Sequence, residues 1–377
     1  MNKIEKKRFF VATSILVGTC IGAGVLGIPY VAASAGFLVA LAYIVLLAMV
    51  LLTVNLYMGE IALRTKGNHH IAGYAEKYLG KKGKFFAEFA LIFGIYSAII
   101  AYLFGVGESF SVLIFNHAGH ASALGVLFGF FMSFLLWRGM KSLRKFEEIG
   151  VSMILFLLAI IVLVFFRHIE ISNLLAYNIS NIFVPFGVIL FALLSFSAIP
   201  EVNIVLRKHP HLLKKSLITG ALIPVIFYIL FALVVVGFKG VTTPEIATLA
   251  LGPLFIVLGI FTMFTSYLAL GMALEDNLKY DEKYSQKKSW FLVTIVPIIL
   301  FLFIKYFEYF SFTKMLSIGG VIAGGLTAIL ILLMAVKAKK KGNREPEYSF
   351  PINWFIIIFL SLIFVLGIIT EVLAALR

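Results

Sequence analysis

Cysteine is almost absent from this sequence, which contains one, Cys20, among 377 residues. A single cysteine excludes an internal disulfide and cannot by itself form a cysteine-based metal site. Cys20 also lies inside an apolar run. We therefore predict that it is a small packing residue.

Charged residues are also scarce, because they make up 13% of the chain while hydrophobic residues make up 62%. The mean hydropathy is +1.05, which is far more apolar than the core of a soluble protein of this length requires. The sequence therefore predicts an all-α integral membrane protein embedded in a lipid bilayer. The first apolar stretch extends well beyond a signal-peptide core and lacks an A-x-A-like cleavage site, so we expect the amino terminus to be retained.

Eleven apolar runs of roughly membrane-spanning length divide the chain. They lie near 9–34, 36–63, 85–116, 121–137, 149–166, 182–206, 215–238, 251–275, 289–305, 311–336 and 351–375. If the amino terminus is cytoplasmic, all but five of the 32 Lys and Arg residues lie on the inner side. The five exceptions are Arg167, Lys239, Lys305, Lys314 and Arg377. This asymmetry predicts a multi-pass plasma-membrane protein with an extracellular carboxyl terminus, and it explains the net charge of +14 without a nucleic-acid partner.

The first and sixth runs share an unusual pattern. Each begins apolar, contains a mid-span cluster of small or hydroxylated residues, and then has a proline, Pro29 or Pro200. Paired interruptions at matching places in two halves are typical of inverted-repeat transporters. We expect one domain over 1–377, with repeat one at 9–166, repeat two at 182–336 and an extra helix at 351–375.

The glycines of the first run predict an opened helix. Gly22 and Gly24 allow the backbone to approach a ligand, and the half-helix that follows presents free N–H groups suited to a carboxylate. The alternative is that Gly18 and Gly22 form a G-x-x-x-G packing face. Because a matching interruption occurs in the sixth run, we favour a binding site. We expect Gly24→Leu to abolish transport without unfolding the protein.

Three motifs carry a resemblance to a known family. The stretches "GTCIGAGVLGIPYVAASAG", "MGEIALRT" and "SAIPE" are similar to amino acid permeases of the amino acid, polyamine and organocation transporter superfamily, closest to its amino acid/auxin and aromatic amino acid permease branches. The resemblance covers the whole chain and implies a leucine-transporter-like fold with discontinuous helices 1 and 6. It implies that the substrate carboxylate and amino group bind at the two interruptions. The candidate substrate-binding residues are Gly18, Thr19, Gly22, Ala23, Gly24, Ser195, Phe196 and Ser197.

The same resemblance implies a site for a coupling ion between spans one and eight. Its candidate ligands are the carbonyls of Gly18, Ile21 and Thr262 and the hydroxyls of Thr265 and Ser266. The alternative is that these hydroxyls bond to carbonyls of their own helix. Some proton-coupled relatives use a span-five lysine here, but "IGVSMILFLLAIIVLVFF" has no ionisable residue. This favours Na⁺, while H⁺ coupling through a carboxylate elsewhere stays open.

Carboxylates inside apolar runs are functional candidates because charge in hydrocarbon is costly. Glu108 is predicted to be an outer gate or a structural partner. For Glu201 two alternatives stay open, a gating or coupling role in the inner pathway and stabilisation of the first turn of the second half-helix. Glu60 is predicted to pair with Arg64 one helical turn away. Glu275 is predicted to be solvated.

Three shorter segments also have readable patterns. The connection at 68–84 is predicted to form an amphipathic helix along the cytoplasmic interface. "TTPEIATLAL" fits either a short helix over the outer mouth or a plain loop. "GGVIAGG", residues 319–325, predicts close helix packing.

The pattern as a whole predicts a secondary active transporter for a neutral, apolar or aromatic amino acid, coupled to Na⁺ or H⁺ by alternating access. The alternatives are an exchanger or a cationic amino acid or polyamine transporter of the same fold and, in another class, a polytopic membrane enzyme. We expect no enzymatic activity, because all seven histidines lie in connections. We expect no transition metal and no cofactor other than the coupling ion. Because no ATP-binding motif occurs, an ion gradient or exchange must drive transport. Monomeric and homo-oligomeric states stay open.

Overall fold

The computed structural model describes residues 1–67, 69–138, 155–280, 282–307 and 310–375. Within these ranges the chain is built from helices and contains no strand. The connection predicted near 138–145 falls almost wholly outside the described residues. The first part of the predicted fifth span, 149–154, and Arg377 also lie outside them.

Sixteen α-helices, labelled α1 to α16 in chain order, make up most of this described part. They are Lys3–Cys20, Ile28–Ala35, Phe37–Leu63, Ile71–Leu79, Lys81–Phe115, Ala121–Trp137, Leu155–His168, Ile171–Leu175, Val184–Leu193, Ile199–Val205, Leu213–Lys239, Pro253–Tyr280, Gln286–Tyr306, Phe312–Ile318, Gly325–Lys341 and Trp354–Ala375. Two 3₁₀ segments, Ala23–Gly27 and Phe196–Ala198, follow α1 and α9, and the last three residues of α7, Phe166–His168, are also 3₁₀. A π-helix, Gly319–Gly324, joins α14 to α15.

Eight of the described helical segments are long and apolar enough to cross a membrane. A ninth candidate is the pair Lys3–Cys20 and Ala23–Ala35, which is bent by 45° at its break. Two further apolar helices, Ala121–Trp137 and Leu155–His168, are shorter. The chain is therefore a multi-pass membrane protein, and each of the eleven predicted runs overlaps one of these segments.

Hydrogen bonds between connections identify two ends of the bundle. At the basic end, the Lys66 amide donates to Asn343 Oδ1 at 2.9 Å, and the lysine-rich segments around α4 and after α15 meet there. At the opposite end, the Asn178 amide donates to the Ala35 carbonyl at 3.0 Å. Helix α3, Phe37–Leu63, connects these two ends.

The predicted amphipathic helix exists as α4 but packs differently from expectation. Tyr74 and Tyr78 on its apolar face are 1% and 2% exposed, because α4 lies against α5 and α15. Burial raises the pKa of Tyr74 to about 12. The Tyr78 hydroxyl and Thr65 Oγ1 are 2.7 Å apart and share a hydrogen bond. The prediction of a helix is confirmed, while its apolar face covers protein.

The "GGVIAGG" segment packs closely against α9, as predicted. A Cβ at Gly320 would lie 2.5 Å from the Gly187 carbonyl oxygen and 2.8 Å from the Phe191 backbone nitrogen. The neighbouring Gly319 similarly faces Ser97 and the Phe191 ring. Only glycine permits this approach of the π-helix to a neighbouring backbone.

Glu60 at the basic end holds more partners than the sequence predicts. Its pairing with Arg64 is confirmed, with Nε 2.7 Å from Oε1. Lys339 Nζ lies 2.6 Å from the same oxygen, the Phe350 amide donates to Oε2 at 2.7 Å, and Ser349 Oγ donates at 3.2 Å. A buried carboxylate thus fastens the segment 342–353, between α15 and α16, to the end of α3.

Two tyrosines strengthen this attachment. The Tyr348 hydroxyl donates to the Leu56 carbonyl at 2.8 Å, and the Tyr57 hydroxyl donates to the Pro351 carbonyl at 3.0 Å. Burial, together with the nearby Glu60 charge, raises the pKa of Tyr348 well above its usual range. The hydroxyl therefore stays protonated as a donor.

The prediction that Glu275 is solvated is wrong. Glu275 is 5% exposed. Lys279 Nζ lies 2.5 Å from Glu275 Oε1, and Gln286 Nε2 lies 2.9 Å from the same oxygen. The turn between α12 and α13 folds Gln286 back onto this carboxylate. Such a contact depends on the path of the turn, which a position at the end of an apolar run does not reveal.

Candidate substrate and ion site

The first interruption, residues 21–27, begins where the hydrogen-bond ladder of α1 changes partner. The Ile21 amide still donates to the Val17 carbonyl at 2.8 Å, but the Gly22 amide donates to Cys20 at 2.9 Å instead of to Gly18. Gly22 is extended, with φ −109° and ψ −160°. The Gly18 carbonyl thereby loses its usual helical donor.

The segment after Gly22 supplies donors. Ala23 and Gly24 open a 3₁₀ helix, and the first N–H groups of any helix lack partners within that helix. Pro29 lies in the first turn of α2, a position where a missing N–H has no consequence. The carbonyl of Gly18 and the amides of Ala23 and Gly24 are therefore free of α-helical pairing.

The second interruption, residues 194–198, has the same construction. α9 ends at Leu193, the Leu194 amide donates to Phe191 at 3.3 Å, and a 3₁₀ turn over Phe196–Ala198 leads into α10. Pro200 lies in the first turn of α10. Neither predicted interruption is therefore a continuous α-helix.

The two interruptions lie side by side. The Tyr228 hydroxyl, from α11, lies 2.6 Å from the Cys20 carbonyl oxygen and 2.9 Å from that of Ala192. Cys20 is 4% exposed, which confirms the predicted packing role, and its Sγ lies 3.7 Å from the Leu193 carbonyl oxygen, so it lies between the breaks. Asn55 Nδ2 on α3 donates to Ser195 Oγ at 2.9 Å.

The candidate substrate residues differ in accessibility. Thr19 and Ser197 are exposed, and Gly18 and Gly22 are partly exposed. Ala23, Gly24, Ser195 and Phe196 are buried. The Thr19 hydroxyl donates to the Ile15 carbonyl at 2.9 Å, so the accessible polar groups near Gly18 are mainly those of the backbone.

Gly24 has a neighbour that the sequence does not reveal. A Cβ at this position would lie 2.9 Å from the Phe191 ring and 3.4 Å from Ala192 Cα. Gly24→Leu would therefore disturb the packing of α9 as well as any ligand site. The expectation that it leaves the fold intact is corrected, because this glycine allows the two interrupted helices to approach.

The candidate ion ligands are partly brought together. A Cβ on Gly22 would lie 3.3 Å from Ser266 Oγ, which places the first interruption against α12. Thr265 Oγ1 donates to the Thr262 carbonyl at 3.0 Å, and Thr262 Oγ1 donates to Leu258 at 2.9 Å. These hydroxyls therefore bond to their own helix, as the alternative states. Two of the candidate ligand oxygens, Thr265 Oγ1 and the Thr262 carbonyl oxygen, are nevertheless next to each other.

Comparison with known proteins identifies the family. The tryptophan/tyrosine permease family matches residues 5–372. The chain belongs to this family. Its members are transporters and not enzymes. The superfamily branch that the sequence motifs imply is still only a resemblance, because the family match does not include it.

Individual relatives of this permease are distant. Tyrosine-specific transport system 1 of Haemophilus influenzae is 28% identical over 224 residues, 59% of this chain and 56% of that protein. Tyrosine-specific transport system 2 of the same organism is 27% identical over 246 residues, 62% and 59% of the two chains. Glutamine transporter 2 of Aliivibrio fischeri is 24% identical over 363 residues, 90% and 91%. The match thus spans little more than half of each tyrosine transporter.

The structure of the permease also separates Tyr96 from Tyr102. The Tyr96 hydroxyl donates to the Leu292 carbonyl of α13 at 2.7 Å. The Tyr102 side chain forms a hydrogen bond with Ser266. Tyr102 therefore lies beside the candidate ion ligand Ser266. Helical periodicity alone predicts only that Tyr96 and Tyr102 face different sides of α5.

The gating candidates of the permease are on different helices, Glu201 on α10 and Glu108 on α5. Glu201 is exposed in the first turn of α10, which fits the alternative that it stabilises this turn. Glu108 is half-buried and experiences the charges of Glu245 and Lys305.

Sequence reasoning missed Glu245. Its Oε2 accepts hydrogen bonds from the Thr313 amide at 3.0 Å and from Thr313 Oγ1 at 2.9 Å. Glu245 thereby ties the connection before α12 to the start of α14. That connection contains two 3₁₀ turns, Gly240–Thr242 and Ala247–Ala250, rather than an α-helix. The glutamate after "TTP" was the available signal.

Proposed function

We propose that this permease carries a neutral aromatic amino acid, tyrosine or tryptophan, across the membrane. The observation that supports the proposal is the adjacency of two interrupted helices whose ends are bridged by Tyr228. Free N–H groups at the first interruption suit a carboxylate, and carbonyls at the second suit an ammonium group. Family membership and the tyrosine transporters among the relatives favour an aromatic side chain.

The proposed architecture has eleven spans in a leucine-transporter-like arrangement, with repeats at 9–166 and 182–336 and a peripheral helix at 351–375. The basic end would face the cytoplasm under the positive-inside rule. Transport then proceeds by alternating exposure of the interruptions to the two sides. The proposed substrate residues are those given by the sequence motifs. Among their backbone groups, that of Gly18 is partly exposed, and those of Ala23 and Gly24 are buried next to it.

Purified protein in proteoliposomes tests this function directly. We expect saturable uptake of labelled tyrosine that excess tryptophan inhibits, under an imposed Na⁺ or pH gradient. Empty liposomes and a protein-containing preparation without a gradient are the controls. Uptake that is indifferent to aromatic amino acids would contradict the proposal.

Glutamine is a second candidate substrate, because the glutamine transporter matches 90% of this chain. Labelled glutamine is therefore measured in the same preparation. Glutamine uptake that tyrosine fails to inhibit would replace the aromatic assignment. Inhibition of tyrosine uptake by both amino acids would indicate one site with broader specificity.

We propose that Na⁺ is the coupling ion and that Gly18, Ile21, Thr262, Thr265 and Ser266 would hold it. Oxygen ligands of this kind suit a hard cation, and Ser266 already lies against Gly22. A bound Na⁺ would supply positive charge that couples the ion gradient to substrate binding. Protons remain the alternative ion.

Ser266→Ala provides a test of this ion site. Removing one ligand oxygen is expected to raise the Na⁺ concentration for half-maximal uptake by about tenfold, because a hydrogen bond or ligand to a charged group contributes about 1.5 kcal/mol or more. Thr294→Ala is the control, since Thr294 Oγ1 donates to the Trp290 carbonyl of its own helix at 2.8 Å. Equal Na⁺ dependence in both variants would remove Ser266 from the site.

A further inference from the structure

Tyr228 occupies a place that neither the motifs nor the family assignment explains. Its side chain is fully buried, at 0% exposure, and it approaches the two interruptions from α11. The hydroxyl oxygen lies within hydrogen-bond distance of one carbonyl from each interrupted helix, those of Cys20 and Ala192.

The two carbonyls lie at the carboxyl ends of α1 and α9. Carbonyls in the last turn of a helix lack amide donors from that helix, and an unpaired polar group in an apolar interior is destabilising. The Tyr228 hydroxyl supplies a donor from a third helix. It therefore holds the ends of α1 and α9 at a fixed separation.

The hydroxyl has one hydrogen but faces two acceptors. It can donate fully to Cys20 or to Ala192, and a shift toward one weakens its bond to the other. A ligand that draws on one interruption thus changes the bonding at the second. We call this pair of contacts, from the Tyr228 hydroxyl to the carbonyls of Cys20 and Ala192, the bridge. It links the two halves of the site because both carbonyls share one hydroxyl hydrogen.

We propose that Tyr228 is a positioning residue that aligns the two interruptions for binding of one zwitterionic substrate. Tyr228 lies behind the interruptions and acts through Cys20 and Ala192 rather than by touching the substrate. This inference rests on the proposed function for its effect on transport. The packing of the interruptions can be measured without transport.

Tyr228→Phe tests the proposal, and Tyr96→Phe is its matched control. Both substitutions remove one tyrosine hydroxyl that donates to a carbonyl of another span; Tyr228 is fully buried and Tyr96 is partly buried. Losing this hydrogen bond is expected to raise the KM for tyrosine uptake about tenfold in Tyr228→Phe, which corresponds to a loss of about 1.4 kcal/mol in binding free energy. In Tyr96→Phe the KM is expected to rise less than about twofold. The maximal rate is expected to change less than KM in both.

The sole cysteine gives a second readout that does not depend on transport. Cys20 lies at the bridged end of α1, so the rate at which a membrane-permeant maleimide labels it reports opening of the interruptions. We expect Tyr228→Phe to label about tenfold faster than wild type, if opening the bridge costs about 1.4 kcal/mol less. Tyr96→Phe should label at the wild-type rate.

Three outcomes are distinguishable. Faster Cys20 labelling in Tyr228→Phe alone supports the bridge, even if the protein transports no aromatic amino acid and the proposed function fails. If Tyr228→Phe labels at the wild-type rate and has a wild-type KM, the bridge is overturned. The proposed function is still supported in that case if the wild-type protein takes up tyrosine. Equal changes in both variants also overturn it, because the effect then follows from losing any tyrosine hydrogen bond between two spans. If Tyr228→Phe does not fold, Tyr228→His, which restores an N–H donor, is measured by the same labelling.

Discussion

Gly22→Val is expected to abolish amino acid uptake while the protein remains folded. Gly22 lies at the start of the first interruption, and a Cβ there would be 3.3 Å from Ser266 Oγ. The two γ-carbons of valine extend beyond that position into the space between the interruption and α12. They would displace the groups to which we assign the substrate carboxylate and the cation.

The backbone conformation makes this substitution a clean test of space. Gly22 has a negative φ of −109° and an extended ψ of −160°, which residues with side chains readily adopt. Loss of function would therefore not reflect strain from a left-handed conformation. Gly24 is a poorer test, because a side chain there meets Phe191 of α9.

A graded series sharpens the measurement. Gly22→Ala places one carbon in tight contact with Ser266 and is expected to retain part of the uptake. Gly325→Ala is the control, because its Cβ would have ordinary contacts of 3.5 Å with Ile368. Uptake rates are compared at equal amounts of monodisperse protein. Normal uptake by Gly22→Val would place the substrate elsewhere.

The interruptions themselves could be predicted from local sequence. Gly22, Pro29 and Pro200 are poor residues for the interior of a helix, and their preferences act within one turn of the chain. The structure accordingly breaks α1 after Cys20 and places each proline in the first turn of the helix that follows. The apolar runs likewise predicted the long helices.

The partners of the interruptions could not be predicted in this way. Tyr228 bonds to a residue 208 positions away, and Asn55 bonds to Ser195 across 140 positions. In an apolar run, such residues look like any other Tyr or Asn, because helical periodicity gives a face but not the neighbour that covers it. Phe191 against Gly24 was missed for the same reason. Gln286 against Glu275 was missed because that contact depends on the path of the turn between α12 and α13.

Glu60 is the second residue whose replacement is expected to have a large effect, in this case on stability. Its side chain is 4% exposed, while its partners Arg64 and Lys339 are 16% and 22% exposed. The carboxylate separates these two cations and accepts the Phe350 amide at 2.7 Å. Glu60→Leu would leave two positive charges together and the amide unpaired.

We expect Glu60→Leu to lower the free energy of unfolding by about 3–5 kcal/mol, the usual cost of removing one partner from a buried ion pair. Glu60→Gln is expected to lower it less, since an amide oxygen can still accept from Phe350. Thermal unfolding in detergent measures both. The matched control is Glu76→Gln, because Glu76 pairs with Lys84 at 3.7 Å and is 49% exposed, so its loss should cost less than about 1 kcal/mol.

Limited proteolysis distinguishes local release from general unfolding in the Glu60 variants. The segment 342–353 is held by Glu60 at one end of α3 and contains Arg344, a trypsin site. If Glu60 is the main attachment, Glu60→Gln should be cut after Arg344 faster than Glu76→Gln at temperatures where both are folded. Equal cutting would mean that Tyr57 and Tyr348, whose hydroxyls bond across the same boundary, hold the segment without the carboxylate. The buried charge would then serve to pair Arg64 and Lys339 rather than to fasten the chain between α15 and α16.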